Sequence, residues 1–356
     1  MKKTVLCIAI LLLFICAACM PNEAILPQPT ERASLIFVAP QQGDFAMEGI
    51  PAAKIFMQRL EKASAELPYE LDCLLIDESI GEDNIKTTIE EYMADNLVLG
   101  ICGFWDADNA AAAAKICYEN NIPLLLWAAV REDLTGEGSY PYVLRLCTTA
   151  RAETKLLCEE LIAKKGFNKW AVICDDSSYG LANQESITQT LQENNCEPVF
   201  SFSAAASNPV FSDCISSLIA AKPDIIYFGG NPLLLNSFLA ALNNAGLETP
   251  VAAIGAASLE LEVIPENVFT VNYDFAQYND FYTQFFLNQG FDCEMGIMTP
   301  LAYEAAGVFI SALKACDDAP NSSLIAMTMA ATRYQASQVR SASIPMAITR
   351  IPPCLL

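Results

Sequence analysis

The chain has 356 residues, which is enough for two α/β units rather than one. Its 42 acidic residues outnumber 20 basic ones, and a formal net charge of −22 repels nucleic-acid backbones, which excludes nucleic acid as a partner. The sequence contains no histidine, which excludes Ser-His-Asp and Cys-His catalysis as well as the HExxH zinc site.

The amino terminus has the pattern of an export signal. Two lysines precede an apolar run from Val5 to Ala18, which is shorter than the roughly 20 residues that a transmembrane helix requires. Small residues lead into Cys19, as in the lipobox of bacterial lipoproteins, whose cysteine becomes acylated. Either Cys19 is the lipidation site, or an ordinary signal peptide is cut nearby. Residues 20–32 contain three prolines and predict a tether between membrane and domain.

From Ser34 onward, short apolar runs alternate with stretches of helical periodicity. Such alternation predicts an α/β fold of parallel sheets with helices on both faces. The predicted strands of the first half are Leu35–Ala39, Leu71–Ile76, Leu97–Cys102 and Pro123–Trp127, followed by an extended crossing at Tyr142–Leu146. The predicted helices are one that begins at Pro51, then Ile85–Asn96 and Asp108–Asn120.

The pattern restarts after residue 150, which predicts a second lobe and a ligand site in the crevice at the carboxyl ends of the strands. Its predicted strands are Lys169–Cys174, Glu197–Phe202, Asp224–Gly229, Pro250–Ile254 and Val268–Asn272. The predicted helices are Arg151–Lys165, Tyr179–Asn194, Pro209–Ala221, Pro232–Ala245, Tyr278–Asn288 and Pro300–Cys316. Cysteines in apolar runs, such as Cys102, Cys147 and Cys174, are interpreted as small core residues rather than disulfide partners.

Four motifs follow one another along the chain: Asn121-Ile-Pro-Leu, Asp133-Leu-Thr with Tyr140-Pro-Tyr-Val-Leu-Arg145, Asp175-Asp-Ser-Ser-Tyr-Gly180, and Pro223-Asp-Ile-Ile-Tyr-Phe-Gly-Gly230. Together they resemble the type I periplasmic binding proteins, especially the leucine/isoleucine/valine-binding branch, over residues 33–335. The resemblance implies two Rossmann-like lobes joined by hinge crossings at 147–150 and 271–275. Residues 33–146 and 275–335 would form the first lobe, and residues 147–274 the second.

The same resemblance implies a binding protein rather than an enzyme. It would close its lobes on a small molecule outside the cytoplasm and pass it to an ABC permease, with no cofactor and no metal. Two other functions stay open. One is a ligand-sensing receptor of the same fold, which usually carries a transmembrane segment or a cytoplasmic domain. The other is an exported enzyme, but the sequence lacks GxGxxG, Walker A and GxSxG patterns.

In the amino-acid-binding relatives, Ser and Thr hydroxyls from two loops of the first lobe hold the ligand. The resemblance places ligand contacts in the matching loops of this chain, at Phe104, Trp105, Asp106, Ala128, Ala129 and Val130. Trp105 or Phe104 stands where the Ser is expected, and Val130 stands where the Thr is expected. None of these side chains offers a hydroxyl.

On the second lobe, the resemblance implies contacts from Tyr179, Asn231 and Ser258. Tyr179 matches an aromatic residue that covers the ligand, whereas Asn231 replaces an aromatic residue. The stretch 255–258 lacks the acidic residue that holds an ammonium group in the relatives. The pocket is therefore predicted to be apolar and aromatic, for a ligand other than a standard zwitterionic amino acid. A shift of the loop alignment would instead bring Asp106 or Ser258 into the cleft.

Other polar and aromatic residues near these loops have two interpretations each. Trp127 lies in a strand run and is interpreted as a core residue rather than a ligand contact. Arg131 either meets a ligand carboxylate or is solvated. Asp175 and Asp176, at a strand end, either act as acid and base or cap backbone N–H groups.

Residues 336–356 differ from the Gly-rich ending of the family, which returns to the hinge as strands. The codons that can encode this tail can also be read in a shifted frame, which starts at the third base of each preceding codon. That frame permits the Gly and Asp residues that the tail lacks. Either a frameshift near Gln335 replaced the ending, or the tail has diverged. Sequencing of the coding DNA distinguishes these alternatives, because an intact reading frame would contradict the frameshift.

Overall fold

The computed structural model describes residues 32–135, 139–254, 265–273, 279–291, 295–316, 321–331 and 346–349. The strands of its first sheet are β1 (Arg32–Ala39), β2 (Glu70–Asp77), β3 (Leu97–Gly103), β4 (Leu124–Leu126) and β5 (Val143–Arg145). They are ordered β2-β1-β3-β4-β5, and every pairing is parallel.

The strands of the second sheet are β6 (Trp170–Asp175), β7 (Pro198–Ala204), β8 (Ile225–Phe228), β9 (Val251–Ala253), β10 (Val268–Tyr273) and β11 (Met346–Thr349). They are ordered β11-β10-β9-β8-β6-β7. The pairings among β6 to β10 are parallel, whereas β11 runs antiparallel along β10. The predicted α/β class with two parallel sheets is confirmed, and the antiparallel edge strand was not predicted. The rest of the unusual tail lies outside the described residues.

The helices are α1 (Ala46–Ser64), α2 (Glu82–Asp95), α3 (Ala107–Asn120), α4 (Ala150–Cys158), α5 (Ser178–Glu193), α6 (Ser212–Ala221), α7 (Leu235–Asn244), α8 (Asn279–Asn288), α9 (Thr299–Ala315) and α10 (Ser322–Ala331). Helix α4 continues into a π-helical segment, Glu159–Lys164. Within the described ranges, no helix is both long and apolar enough to cross a membrane.

Strand β1 explains why the first sheet carries helices on both faces. Every side chain from Ala33 to Ala39 is buried, although successive side chains of a strand point to opposite faces. Leu35 and Phe37 pack into the core formed with α1 and α9, whereas Ile36 and Val38 pack into the core formed with α2 and α3.

Helix α9 packs on the first sheet although it follows β10 of the second sheet in sequence. Its Leu301 and Phe309 belong to the same core as Phe37 and Phe56. A Cβ atom on Gly100 of β3 would lie 2.3 Å from Cε1 of Phe309, so the glycine allows the ring to approach the strand. The chain therefore returns to the first sheet after building the second.

The prediction that a helix begins at Pro51 is wrong, because α1 begins at Ala46. Proline is favoured in the first turn of a helix, which suggested the later start. Pro51 lies inside the helix, so its missing N–H leaves the carbonyl of Met47 without its helical partner. Helix α10 was not predicted. It begins after Asn321, whose side chain accepts a hydrogen bond from the Leu324 N–H at 3.1 Å.

The buried carboxylate of Glu48 joins α1 to the start of α9. Its Oε1 accepts a hydrogen bond from the Ile297 N–H at 3.0 Å, and its Oε2 accepts one from the Met298 N–H at 2.8 Å. Burial raises the pKa of this carboxyl, against the opposite effect of the two hydrogen bonds.

The change Glu48→Ala is expected to lower the free energy of unfolding by about 2–3 kcal/mol, because it leaves two amide N–H groups without their acceptor. Chemical denaturation measures this loss. The neighbouring Met47 is 62% exposed, so Met47→Ala is a control that tests the same helix without touching the link. Equal stability of the two variants would contradict the role of Glu48.

Candidate functional site

The loop that follows β3 turns sharply at the carboxyl edge of the first sheet. Gly103 has φ +144°, and a Cβ atom there would lie 2.1 Å from the carbonyl oxygen of Val38, so only glycine fits. Phe104 has φ +74° and donates its N–H to the same oxygen at 2.9 Å. Its side chain is fully buried in the core with α2 and α3. Of the predicted pair, Trp105 is therefore the residue that reaches the surface.

Trp105 forms an aromatic wall with Phe45 and Trp127. Its half-buried ring stacks on that of Phe45 with the centroids 4.9 Å apart, and it lies 6.2 Å from the ring of Trp127. Trp127 is fully buried, which confirms its interpretation as a core residue. Phe45 and Trp105 offer apolar ring surface and no hydroxyl group, and the buried Trp127 packs behind them.

A buried carboxylate, which was not among the predicted site residues, holds this loop in place. Glu78 directly follows β2, is 5% exposed, and accepts hydrogen bonds from the Trp105 N–H at 2.8 Å and the Asp106 N–H at 2.9 Å. Burial raises the pKa of Glu78 to about 8, although the hydrogen bonds act in the opposite direction. The available signal was the acidic pair Asp77-Glu78 after the predicted strand Leu71–Ile76, at the edge where the other site loops lie.

Asp106, a predicted ligand contact, is occupied at the start of α3. Its Oδ1 accepts hydrogen bonds from the Asp108 N–H at 2.9 Å and the Asn109 N–H at 3.0 Å. This is the N-cap role that Asp often has, and it orients the exposed carboxylate towards the helix.

The loop that follows β4 leads to β5 of the same sheet and lies beside the start of α4. Ala128 and Ala129 are buried, and the Ala129 N–H donates to the Phe104 carbonyl at 2.9 Å. Val130 packs against the core of the second sheet, and its carbonyl accepts the Ala150 N–H of α4 at 3.0 Å. This loop therefore contacts both halves of the fold.

Two arginines near this loop are already engaged. Arg145 donates to the carbonyls of Ala129 at 2.8 Å and Arg131 at 2.6 Å. Arg131 pairs with Asp108 at 2.5 Å and Asp133 at 2.6 Å, so its charge is balanced within the protein. The structure thus places Arg131 in an ion-pair network, which neither interpretation of the residue included.

Asp175 organises the carboxyl edge of the second sheet. It is 1% exposed and accepts hydrogen bonds from the Ser177 N–H at 3.1 Å, the Ser177 hydroxyl and the Asn231 N–H at 2.5 Å. Asp176 accepts the Ala206 N–H at 2.7 Å. Both aspartates accept backbone N–H groups, as predicted, although the residue that caps the start of α5 is Ser177. Asn231, a predicted contact, in turn caps the 3₁₀ turn that follows it.

Tyr179 lies in the first turn of α5 and is half-buried. It is close in space to Asp175. Asn183 follows one helical turn further on, on the same helix. Burial raises the pKa of Tyr179, and the nearby Glu153 raises it further.

The predicted site residues therefore form two groups at the carboxyl edges of the two sheets. Trp105, Asp106 and the loop 128–130 belong to the first sheet, while Tyr179 and Asn231 belong to the second. Ser258 and the predicted lipidation site Cys19 lie outside the described residues. In the described part of the chain, no group of three metal-binding side chains is arranged to hold an ion.

The nine cysteines in the described ranges are all free thiols, and eight of them are buried. The interpretation of Cys102, Cys147 and Cys174 as core residues is confirmed. Burial raises the pKa of the Cys147 thiol to about 11, so the group stays protonated at neutral pH.

Solved structures share this fold. A solute binding protein of an ABC transporter from Rhodopseudomonas palustris HaA2, in complex with p-hydroxybenzoic acid, aligns with a TM-score of 0.71 and 18% identity over 83% of this chain and 84% of that chain. The leucine binding protein LivK from Thermotoga maritima MSB8 aligns with a TM-score of 0.69 and 17% identity over 84% and 87%. At such identities the likeness concerns the fold alone.

A curated relative and a family profile match the sequence itself. The Leu/Ile/Val-binding protein homolog 3 of Brucella melitensis biotype 1 is 22% identical over 142 residues, which are 40% of this chain and 38% of the relative. The match thus spans well under half of that relative. The profile of the family described as periplasmic binding protein matches residues 37–348, which is most of the chain. Together with the two-sheet fold, this match shows that the chain belongs to the type I periplasmic binding protein family.

Proposed function

We propose that this protein is an extracytoplasmic solute-binding protein that captures a small molecule between its two lobes and delivers it to an ABC importer. Family membership supports the binding role. The ligand would stabilise a closed form through its higher affinity for that form, and the closed protein would then dock onto the permease. The amino-terminal export signal and Cys19 support a lipid anchor on the outer face of the cell membrane, with residues 20–32 as the tether.

The aromatic wall of Trp105, Phe45 and Trp127 carries the proposal for the ligand class. Trp105 stands in the loop where the amino-acid-binding relatives use a hydroxyl, and Val130 stands in place of the second hydroxyl. A zwitterion would lose the hydrogen bonds that those groups provide, whereas an apolar or aromatic body gains contact area. The ligand is therefore a small molecule other than a standard zwitterionic amino acid.

Proteins of the same fold bind chemically different ligands. Those from Rhodopseudomonas palustris BisB5 and HaA2 were solved with 3,4-dihydroxybenzoic acid and p-hydroxybenzoic acid, and one from Desulfitobacterium hafniense was solved with Leu. The fold thus accepts rings without an amino-acid backbone, which supports the ligand class proposed for this chain.

A thermal-shift screen of the mature protein tests the proposal. The panel contains amino acids, amides, aromatic acids, aromatic and aliphatic amines, and purines, each at millimolar concentration. Small-angle X-ray scattering then measures whether a stabilising compound makes the protein more compact, as lobe closure requires. Strong stabilisation by leucine or valine would contradict the ligand class, and a panel without any stabilising compound would contradict the binding function.

The change Trp105→Ala is expected to weaken binding of the stabilising compound by about 10- to 100-fold, because the indole face and its stacking contact with Phe45 are lost. Isothermal titration calorimetry measures this effect. Tyr118 stacks on Tyr140 at the same centroid distance of 4.9 Å, but near the end of α3, at the opposite edge of the first sheet. Tyr118→Ala is the matched control, and equal losses in both variants would contradict a ligand role for Trp105.

A further inference from the structure

Four polar side chains from three elements meet beneath the carboxyl edge of the second sheet. Glu153 is in the first turn of α4, Tyr179 and Asn183 are in the first half of α5, and Tyr227 is on β8. Electrostatic interactions link Glu153 to both tyrosines. Glu153 is 3% exposed, Asn183 and Tyr227 are fully buried, and the half-buried Tyr179 is the member that reaches the surface. We refer to these four residues as the α4–α5 polar cluster.

The cluster contains polar atoms that the protein leaves without a partner. Within the described ranges, neither the buried Oδ1 of Asn183 nor the buried hydroxyl of Tyr227 has a hydrogen-bond partner. The Nδ2 of Asn183 is used, because it donates to the Gly229 carbonyl at 3.0 Å. Nor does any hydrogen bond hold the carboxylate of Glu153 among the described residues, and burial alone raises its pKa to about 8. Buried polar groups are almost always satisfied, so two unsatisfied buried atoms beside the carboxyl of Glu153 indicate a site for a ligand group.

The unpartnered atoms are mostly acceptors, and the cluster has no cation of its own. Arg151, on the same helix as Glu153, donates to the Ser186 carbonyl at 2.9 Å and pairs with Glu193 at 2.5 Å. Arg145, just before α4, is bound to backbone carbonyls of the loop after β4. A carboxylate of a ligand would therefore meet the carboxyl of Glu153 with no free positive charge in the described part of the cluster to offset it.

We infer that the α4–α5 polar cluster binds a protonated amine of the ligand, with Glu153 as its counter-charge. An ammonium group has three N–H donors, and Glu153, Asn183 Oδ1 and the Tyr227 hydroxyl offer acceptors for all three. The tyrosine rings add faces to which a cation is attracted. This inference rests on the proposed function and makes it more specific: the ligand is an amine with an apolar or aromatic body and no carboxylate.

Matched compounds test the inference on the mature wild-type protein. Tyramine, 2-phenylethylamine and isopentylamine are compared by thermal shift and calorimetry with p-hydroxybenzoic acid, 3-phenylpropionic acid and leucine. We expect at least one amine to stabilise the protein and none of the acids to do so. The change Glu153→Gln is expected to weaken amine binding by at least about tenfold while the ligand-free protein stays folded, because no hydrogen bond to Glu153 is lost. Glu159→Gln, an exposed site on the same helical segment, is the control and keeps wild-type affinity.

Proton release gives a second measurement, which a structural role of Glu153 would not produce. Binding of an ammonium ion favours the ionised carboxylate, so calorimetry at pH 7 in two buffers of different ionisation enthalpy should detect proton release from the wild type and none from Glu153→Gln. The titratable groups that interact with Glu153 are Tyr179, Tyr227 and Cys147, and burial raises the pKa of each above 10, so they stay neutral.

Each outcome decides between the two proposals. If an acid or leucine stabilises the protein and no amine does, the inference is overturned and the binding function stands. If amines bind equally to wild type and Glu153→Gln, the cluster holds ordered water only and the inference is overturned. If neither these compounds nor the wider panel bind, both proposals fail.

Discussion

The change Asp175→Ala is expected to lower the free energy of unfolding by about 3–5 kcal/mol and to abolish ligand binding in the same variant. Asp175 is buried at the end of β6, and its carboxylate accepts hydrogen bonds from Ser177 at the start of α5 and from Asn231 in the loop after β8. Its removal leaves these donors without an acceptor at the edge where Tyr179 lies. Thermal and chemical denaturation give the stability, and calorimetry gives the affinity.

The adjacent aspartate provides the control for this prediction. Asp176 is exposed and accepts one hydrogen bond, from the Ala206 N–H. Asp176→Ala is therefore expected to cost about 1 kcal/mol and to leave ligand affinity unchanged. Equal losses of stability in the two variants would show that Asp175 does not organise this edge.

The second large effect concerns pH and the carboxyl of Glu78. Its pKa is raised to about 8 from an ordinary value of 4.5, so the folded chain binds this proton more tightly than the unfolded chain does. The stabilisation from protonation is complete below about pH 4.5 and is lost as the pH rises through about 8. We expect unfolding free energies to fall over this window, by on the order of 3–5 kcal/mol for this group.

Glu78→Gln removes that titration, so the difference in stability between variant and wild type should change with pH, and the variant curve should be flatter above pH 5. Denaturation at pH 5, 6, 7 and 8 measures the two curves. The variant should also bind ligand more weakly, because Trp105 and Asp106 donate to the two different oxygens of Glu78 and a Gln side chain keeps only one of these acceptors. Glu82→Gln, at an exposed position after the same strand, is the control. Parallel curves for Glu78→Gln and wild type would contradict the assignment.

The architecture was predictable because its signal is local. Buried strands such as β1 and β6 are continuous apolar runs, and their alternation with helical stretches requires parallel sheets. The start of α1 was missed because Pro51 suggested a first turn, whereas the helix extends back to Ala46. The lobe boundaries, the hinge crossings and the origin of the tail stay predictions.

The site was predictable only at the level of its loops. Which of Phe104 and Trp105 leaves the core depends on the positive φ angles of residues 103 and 104, which no composition reveals. The buried carboxylates depend on partners that are distant in sequence: Glu78 needs the loop at 105–106 and Glu48 needs residues 297–298. In sequence these residues look like ordinary surface acids.

The loop after β4 has a consequence for how such a protein can change its cargo. Arg145 donates to carbonyls on both sides of Val130 and also to the Thr148 carbonyl at 3.4 Å, just before α4. In a protein with the proposed function, a substitution at Val130 that changes ligand choice would therefore also disturb the connection between the halves of the fold, and with it the balance between open and closed forms. New specificity and transport rate would evolve together, so variants selected for tighter binding alone would often deliver their cargo more slowly.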